Sequence, residues 1–265
     1  MMDALHMASR DFIARWKEAR RVERRHTRRL EAGLALFLCL SIIVVAIFGD
    51  EILARSAQKI APPIYDFFAT VTRLGESGWI FATSFICIIG ALALRHRGWG
   101  TRVDSMLALF AGRAFFILSV NAVSGLLSLA LKMFFGRARP RLLEMVGPFH
   151  FDMFSWKSAV LSFPSGHTVT AFATVTALGF LAPRLGTWLF VLALLIAASR
   201  VITGAHYPSD VIVGAALGAA TTIFLRRAFA ARHIVFRLRE GKIETRAQGL
   251  ISTAFASVIG SGVKS

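Results

Sequence analysis

The sequence predicts an all-α protein: a six-transmembrane-helix bundle with both termini cytoplasmic. Three observations lead to this fold class. Hydrophobic residues make up 55% of the 265 residues and charged residues only 17%, whereas a soluble domain carries about 25% charged residues. Six apolar segments approach the length of roughly 20 residues that a helix needs to cross a bilayer. The lysines and arginines are distributed unequally between the segments that connect them.

The predicted spans have approximate limits, and polar residues intrude at the ends of the fourth and fifth. They cover 33–49, 77–95, 108–132, 165–183, 187–203 and 210–226. We interpret the first as a retained helix, since no small-residue cleavage pattern follows it. The segment 50–76 contains Pro62-Pro63 and several aromatic residues, which favours a short helix at the outer interface. In the last span, Gly214 and Gly218 form a GxxxG pair that predicts close helix packing.

Basic residues orient the predicted bundle. Segments on one side of the six-span arrangement hold 20 of the 31 lysines and arginines, and the positive-inside rule places that side in the cytoplasm. Much of the net charge of +16 is therefore explained by topology, which argues against a nucleic-acid partner. The predicted domains are a basic cytoplasmic N-terminal segment over 1–32, the six-helix membrane domain over 33–230 and a cytoplasmic C-terminal tail over 231–265. Within this tail, residues 247–265 are expected to be weakly ordered.

The two cysteines carry little information about function. Cys39 and Cys87 both lie inside apolar spans, which favours packed side chains over a disulfide or a metal site.

Polar residues are expected to converge at the outer end of the predicted bundle. Spans three and four are joined on that side, and so are spans five and six. The residues concerned are Lys132 and Arg139 after span three, Ser165, Gly166 and His167 at span four, Arg200 near the end of span five, and His206 and Asp210 at span six. Charged side chains at such positions are costly unless they face a polar cavity, so they indicate a functional site.

Three of these residues predict a pocket for a multiply charged anion. Lys132, Arg139 and Arg200 are cationic, and arginine offers bidentate hydrogen bonds to phosphate oxygens. A helix that starts at Ser165 and Gly166 adds free backbone N–H groups and the positive end of its dipole. Phosphate fits so much positive charge better than carboxylate or sulfate does. Ser165 is also the expected N-cap of its helix.

Two histidines supply reactivity to this pocket. Asp210 follows His206 by four residues and can orient its imidazole as a nucleophile or base. His167 can protonate a departing oxygen. The residues alone leave two other interpretations open. His206 and Asp210 can form a purely structural hydrogen bond, or they can bind a metal together with His167, against which the neighbouring cations argue.

Three segments resemble the signature motifs of the type 2 phosphatidic acid phosphatase (PAP2) superfamily. They are KMFFGRARP at 132–140, PSGH at 164–167 and SRVITGAHYPSD at 199–210. The resemblance covers about residues 77–226 and implies a metal-independent membrane phosphatase without a cofactor. Carried over to this sequence, it makes His206 the nucleophile that forms a phosphohistidine, Asp210 its partner and His167 the acid. The phosphoryl group is then bound by Lys132, Arg139, Ser165, Gly166 and Arg200. Arg137 and Arg141 lie beside the first motif, and contact of either with a headgroup is left open.

The resemblance also implies a lipid phosphate as substrate, with the bilayer around it. The candidates are phosphatidylglycerophosphate, undecaprenyl diphosphate, phosphatidic acid and the phosphates of lipid A, which motifs common to all these enzymes do not separate. The expected location is a bacterial inner membrane, with the active site facing the periplasm; the oligomeric state is not predicted. Two alternatives stay open: transfer of the phosphoryl group to another lipid on the same fold, and a non-catalytic protein that binds or transports a phosphorylated lipid. The latter has no need of the His206–Asp210 pair.

Overall fold

The computed structural model describes residues 13–17, 28–95, 101–239 and 242–245, without the side chains of 28–31 and 102. Most of the N-terminal segment and the final residues, 247–265, therefore lie outside the described residues. The helices are α1 (13–17), α2 (Arg28–Val44), α3 (Asp50–Ala57), α4 (Pro62–Val71), α5 (Ser77–Arg95), α6 (Thr101–Phe135), α7 (Leu143–Val146), α8 (Gly166–Leu181), α9 (Gly186–Ile202) and α10 (Pro208–Ala231). The strands β1 (Phe236–Arg239) and β2 (Lys242–Thr245) form an antiparallel hairpin.

Five helical segments within the described ranges are long and apolar enough to cross a membrane. They are Ala32–Ala57, Pro62–Arg95, Val103–Phe135, Pro183–Ile202 and Pro208–Ala231, so the chain is a multi-pass membrane protein. The remaining expected span corresponds to α8, which has 16 residues. At 1.5 Å per residue it is about 24 Å long, less than the roughly 30 Å of a hydrocarbon core. The sixth crossing and the cytoplasmic termini stay predictions.

The first span extends beyond its predicted end at residue 49. Helix α2 continues through a five-residue π-helical turn, Val45–Gly49, directly into α3. Such turns are frequent at functional sites, and this one delivers Asp50, whose side chain is completely buried. The segment predicted to hold one short interfacial helix therefore contains the end of the first span and, separately, α4. Proline in the first turn of α4 suits a helix start, because its missing N–H has no intrahelical partner there.

The chain groups into two compact units. The first takes in Arg29–Thr83 and Ile117–Ile223, and the second falls within Met1–Arg28, Ser84–Phe116 and Phe224–Ser265. In the second unit, the buried Phe116 packs edge-on against Phe229 and against Phe236 of β1, with ring centroids 5.0 and 4.9 Å apart. The hairpin departs from the all-α prediction, and two of its apolar residues, Phe236 and Ile243, are buried.

In the first unit, the two glycines of the GxxxG pair let α10 approach α8 closely. A Cβ added to Gly214 would lie 2.7 Å from the carbonyl oxygen of Ser165, and one added to Gly218 would collide with the carbonyl oxygen of Val169. The prediction of close packing at this pair is therefore confirmed. The contact joins the helix that begins at the PSGH segment to the helix that begins just after His206.

Candidate active site

The predicted site residues lie at helix ends or in the loops beside them, and all of them belong to the first unit. Lys132 is in the last turn of α6, Arg200 is in the last turn of α9, and Asp210 is in the first turn of α10. His167 is the second residue of α8, and His206 lies in the connection between α9 and α10. These are the helix ends that the span assignment expects to meet.

The loop after α6 folds back at Gly136. This glycine has φ of +58°, and a Cβ there would collide with the carbonyl oxygen of Asp152, so only glycine fits. After this turn, the backbone of Arg137 forms an isolated antiparallel β-bridge with that of Phe151. The Arg139 N–H donates to the Ala159 carbonyl at 3.0 Å. Lys132 therefore precedes this turn, at the end of α6, and Arg139 follows it in the loop.

Lys132 is directed toward the start of α8. Its Nζ donates to the Leu161 carbonyl at 2.9 Å, and its Cε would lie 3.7 Å from a Cβ built on Gly166. A cation therefore lies beside the N-terminus of α8, where the backbone N–H groups of Gly166 and His167 have no intrahelical acceptor.

The two arginines complete a cluster of three cations, hereafter the cation cluster: Lys132, Arg139 and Arg200. Arg139 is half-buried, and its Nε donates to the Ser158 carbonyl at 2.9 Å. Burial, and then the charge of Arg141, lowers the pKa of Arg139, but a guanidinium stays protonated in proteins. Arg200 is 9% exposed and donates to the Thr72 hydroxyl, while its Nε has no partner among the described residues. The charges of all three act on His167, so the cluster lies near this histidine.

His206 and Asp210 are buried side by side, at 3% and 0% exposure. His206 Nδ1 lies 3.8 Å from Asp210 Oδ2, too far for a direct hydrogen bond. The Ser162 hydroxyl fills the gap: it donates to Oδ2 at 2.6 Å and lies 3.4 Å from Nδ1. Burial lowers the pKa of His206 to about 3, because an imidazolium would lose its hydration there. The imidazole is therefore neutral at pH 7.

Arg137 lies inside the protein, so the open possibility that it contacts a headgroup is wrong. Its side chain is 4% exposed, and its guanidinium donates to Asp210 Oδ1 at 2.6 Å and to Asp50 Oδ2 at 2.8 Å. It also lies over the Tyr207 ring, 4.3 Å from the centroid. Burial acts to lower the pKa of Arg137, but the Asp210 and Asp50 carboxylates outweigh it and raise that pKa.

Asp50 anchors this network from the first span. One carboxylate oxygen accepts from the Ser209 N–H at 2.9 Å, and the other accepts from the Ser209 hydroxyl and from Arg137. Sequence reasoning missed Asp50, Ser162 and Ser209. Of these three, only Asp50 could have been identified from the sequence. It is an acidic residue at the end of an apolar run, and such a charge is costly in a membrane unless it is paired.

Ser165 occupies the N-cap position, but its side chain does not cap the backbone. The hydroxyl accepts from the Thr168 hydroxyl at 2.9 Å, and the backbone N–H donates to the Asp210 carbonyl at 3.0 Å. The Ser165 N–H is therefore already used in joining α8 to α10. The N–H groups of Gly166 and His167 are the ones that the helix start leaves for an anion.

Within the described ranges, no three His, Cys, Asp or Glu side chains are grouped as metal ligands. The Asp210 carboxylate is already engaged at both oxygens, by Arg137 on one side and by Ser162 and the Tyr207 N–H on the other.

Residues 113–234 match the sequence profile of the PAP2 superfamily. The chain is 34% identical over 211 residues to a lipid A 1-phosphatase from Rhizobium johnstonii, covering 79% of this chain and 85% of that protein. It is 30% identical over 204 residues to phosphatidylglycerophosphatase B from Bacillus subtilis, covering 70% and 88%. A solved structure, the first transmembrane PAP2 type phosphatidylglycerolphosphate phosphatase from Bacillus subtilis, matches with a TM-score of 0.52 at 23% identity, over 77% of this chain and 96% of that one. At this identity the structural likeness concerns the fold.

Proposed function

This chain belongs to the PAP2 superfamily and is a membrane lipid phosphatase, and from that premise we propose that it hydrolyses its substrate through a phosphohistidine on His206. The observation that carries the proposal is the state of this side chain. His206 is buried, neutral at pH 7 and linked to Asp210 through Ser162. A neutral imidazole with one nitrogen engaged leaves the other nitrogen free to attack phosphorus.

In the first step, His206 Nε2 attacks phosphorus and the bond from phosphorus to the lipid oxygen breaks. His167, which must enter this step as an imidazolium, donates a proton to that oxygen and becomes neutral, and the oxygen leaves as an alcohol. Lys132, Arg139 and Arg200 bind the non-bridging oxygens with the help of the Gly166 N–H, and Ser165 holds the start of α8 in place. Preorganised positive charge of this kind stabilises the transition state, and it does so without a metal ion.

In the second step, water attacks the phosphohistidine while His167 accepts a proton from it. The bond between phosphorus and nitrogen breaks, inorganic phosphate leaves, and His206 returns to its neutral form. The same cation cluster serves both steps, because the phosphoryl group stays between its three members throughout.

The proposed substrate is a lipid phosphate of the lipid A 1-phosphate type, with phosphatidylglycerophosphate second. Relatives at 34% and 32% identity are lipid A 1-phosphatases, and one at 30% is a phosphatidylglycerophosphatase. The proposed setting is a six-helix domain over 33–230 in a bacterial inner membrane, with a basic N-terminal segment and C-terminal tail in the cytoplasm. The active site then faces the periplasm.

Phosphate release from the four candidate lipids tests the proposal. Purified protein in detergent with excess EDTA should release inorganic phosphate, and His206→Ala should abolish the release while His150→Ala, in an exposed loop, should not. Protein quenched during turnover should carry acid-labile phosphate on His206. Activity that EDTA removes and a divalent metal restores would contradict the metal-free mechanism. Phosphate that appears on an added lipid, rather than in solution, would identify a phosphotransferase.

A further inference from the structure

A short turn between α4 and α5 lies against two of the proposed site residues. Thr72–Gly75 forms one turn of 3₁₀-helix, hereafter the 3₁₀ turn, which continues directly from α4 and packs against both α8 and α9. It lies outside the three motifs and outside residues 113–234, which match the family profile. The 3₁₀ turn, α8 and α9 all belong to the first unit. Its contacts are therefore not part of what the family resemblance implies.

Thr72 holds the guanidinium of Arg200. Arg200 is 9% exposed, and its Nη1 donates to the Thr72 hydroxyl oxygen at 2.5 Å. Over the part of the chain that the structure describes, this guanidinium makes no other hydrogen bond. A side chain that is already fixed loses less freedom when it binds a ligand. The Thr72 hydroxyl therefore prepares Arg200 to bind an anion.

Gly75 packs directly against His167. A Cβ built on this buried glycine would lie 3.1 Å from the His167 Cβ, 3.3 Å from its Cδ2 and 2.7 Å from the Ile196 Cγ2. A methyl group fits there only if these neighbours shift, so glycine allows the close approach. Among the described residues, none hydrogen-bonds to the His167 ring. The position of this imidazole is therefore set by packing, and the 3₁₀ turn forms one side of that packing.

The two contacts lie on one face of the 3₁₀ turn. A 3₁₀-helix has three residues per turn, so positions three apart, such as 72 and 75, are eclipsed. The same face therefore contacts the end of α9 through Thr72 and the start of α8 through Gly75. In this way the turn relates the position of the proposed phosphate ligand, Arg200, to that of the proposed acid, His167.

We propose that Thr72 and Gly75 are positioning residues of the active site. Thr72 directs Arg200 toward the phosphoryl group. Gly75 holds His167 toward the oxygen of the leaving group. The inference rests on the proposed function, since it uses the roles proposed there for Arg200 and His167. Because one contact concerns phosphate binding and the other acid catalysis, each residue has its own test.

Gly75 is tested with two probes of nearly the same shape: para-dodecylphenyl phosphate and its ortho-nitro derivative. The nitrophenolate leaves without a proton from the enzyme, whereas the more basic phenolate needs one. Gly75→Ala displaces His167, so kcat/KM should fall about 10- to 100-fold for the first probe and less than about 2-fold for the second. The constant kcat/KM is compared because it covers only the steps up to departure of the leaving group, and not the hydrolysis of the phosphohistidine.

Gly78→Ala is the matched control for Gly75→Ala. Gly75, Gly78 and His167 line one cavity of about 380 Å³, but a Cβ built on Gly78 meets nothing within 4 Å. Both probes should therefore be hydrolysed by Gly78→Ala as by the unaltered protein. Equal losses of Gly75→Ala on the two probes, or no loss on either, would overturn the role of Gly75.

His167→Ala separates failure of this inference from failure of the proposed function. If His167→Ala loses activity equally on both probes, His167 is not the acid, and the proposed mechanism fails together with the role of Gly75. If His167→Ala discriminates between the probes and Gly75→Ala does not, the mechanism stands and only the positioning role fails.

Thr72 is tested by the binding of inorganic phosphate, which does not depend on turnover. Phosphate should raise the thermal unfolding midpoint of the unaltered protein in detergent. Thr72→Val should raise the Kd obtained from this shift about 3- to 10-fold, the effect of one hydrogen bond. Thr72→Ser keeps the hydroxyl and should bind phosphate as the unaltered protein does.

Thr70→Val is the control for Thr72→Val. Thr70 is exposed, and its hydroxyl donates to the Asp66 carbonyl of its own helix at 3.0 Å, so its loss should leave phosphate binding unchanged. Normal binding by Thr72→Val, or equal weakening in Thr72→Val and Thr72→Ser, would overturn the role of Thr72. If phosphate does not stabilise even the unaltered protein, the cation cluster fails as the phosphate site, and the positioning of Arg200 fails with it.

Discussion

The hydroxyl of Ser162 decides which nitrogen of His206 is available for chemistry. It donates its proton to Asp210 Oδ2 at 2.6 Å, so toward His206 Nδ1, 3.4 Å away, it can only accept. This arrangement favours the tautomer with hydrogen on Nδ1 and a lone pair on Nε2. Asp210 therefore acts on the proposed nucleophile mainly through Ser162, whereas the four-residue spacing in the sequence predicted a direct contact.

Ser162→Ala should consequently slow turnover more than it weakens binding. Loss of the hydroxyl between Asp210 and His206 removes a hydrogen bond that orients the imidazole and is worth about 1 kcal/mol. We therefore expect kcat to fall about 5- to 10-fold with KM nearly unchanged. The measurement is steady-state phosphate release, with Ser155→Ala as a control, since Ser155 is also buried but lies outside the pair. A variant with raised KM and normal kcat would show that Ser162 binds substrate instead.

The neutrality of His206 also predicts how stability depends on pH. Burial lowers its pKa from 6.5 to about 3, so between these values the unfolded chain binds the extra proton and the folded chain does not. The free energy of unfolding therefore rises with pH across this window, and this residue contributes at most about 1.4 kcal/mol per pH unit. On acidification from pH 7 to pH 5, the thermal unfolding midpoint should fall further for the unaltered protein than for His206→Gln. If the midpoints of the two proteins fall equally between pH 7 and pH 5, His206 is protonated in the folded state.

At the scale of elements, the buried ion network joins the first span to α10. Asp50 at the start of α3 accepts from Arg137 and Ser209, and Arg137 also pairs with Asp210. The sequence predicted the end of the span at residue 49 because Asp50 and Glu51 interrupt the apolar run. The helix continues because Arg137, 87 residues away along the chain, neutralises the charge of Asp50 inside the protein, and Ser209, 159 residues away, hydrogen-bonds to it. The sequence around Asp50 does not indicate partners that lie so far away along the chain.

Removing Asp50 should therefore destabilise the folded protein strongly. Asp50→Ala leaves part of the Arg137 guanidinium unpaired in a buried site, which typically costs about 3 to 5 kcal/mol. The neighbouring Glu51 is exposed and pairs with the exposed Arg55, so Glu51→Ala should cost less than about 1 kcal/mol. Thermal unfolding of both variants in detergent measures the difference. If the two midpoints fall equally, the buried network does not hold α3 in place.

At the scale of the whole molecule, apolar runs and basic loops predicted the membrane fold and which helix ends meet, and three motifs predicted the family. Both kinds of signal are local in sequence, which is why they could be identified without a structure. The hairpin of β1 and β2 was missed because its eight residues are half charged and lie next to a basic stretch. The limits of α8 were missed because hydropathy extends the span to residue 183, whereas the helix ends at Leu181.

The number of crossings can be tested by labelling on either side of α8. Residues 150 and 242 are separated by α8, α9 and α10, so three crossings place them on opposite sides of the membrane, whereas two place them on the same side. We expect three, because a helix of about 24 Å can cross where the bilayer thins locally and the basic residues of 226–246 favour the cytoplasm. In a chain with Cys39 and Cys87 replaced, His150→Cys should react with a membrane-impermeant thiol reagent in intact cells. Lys242→Cys should react only in inverted membrane vesicles. Both side chains are exposed, so reaction of both from the same side would show that α8 does not span the membrane.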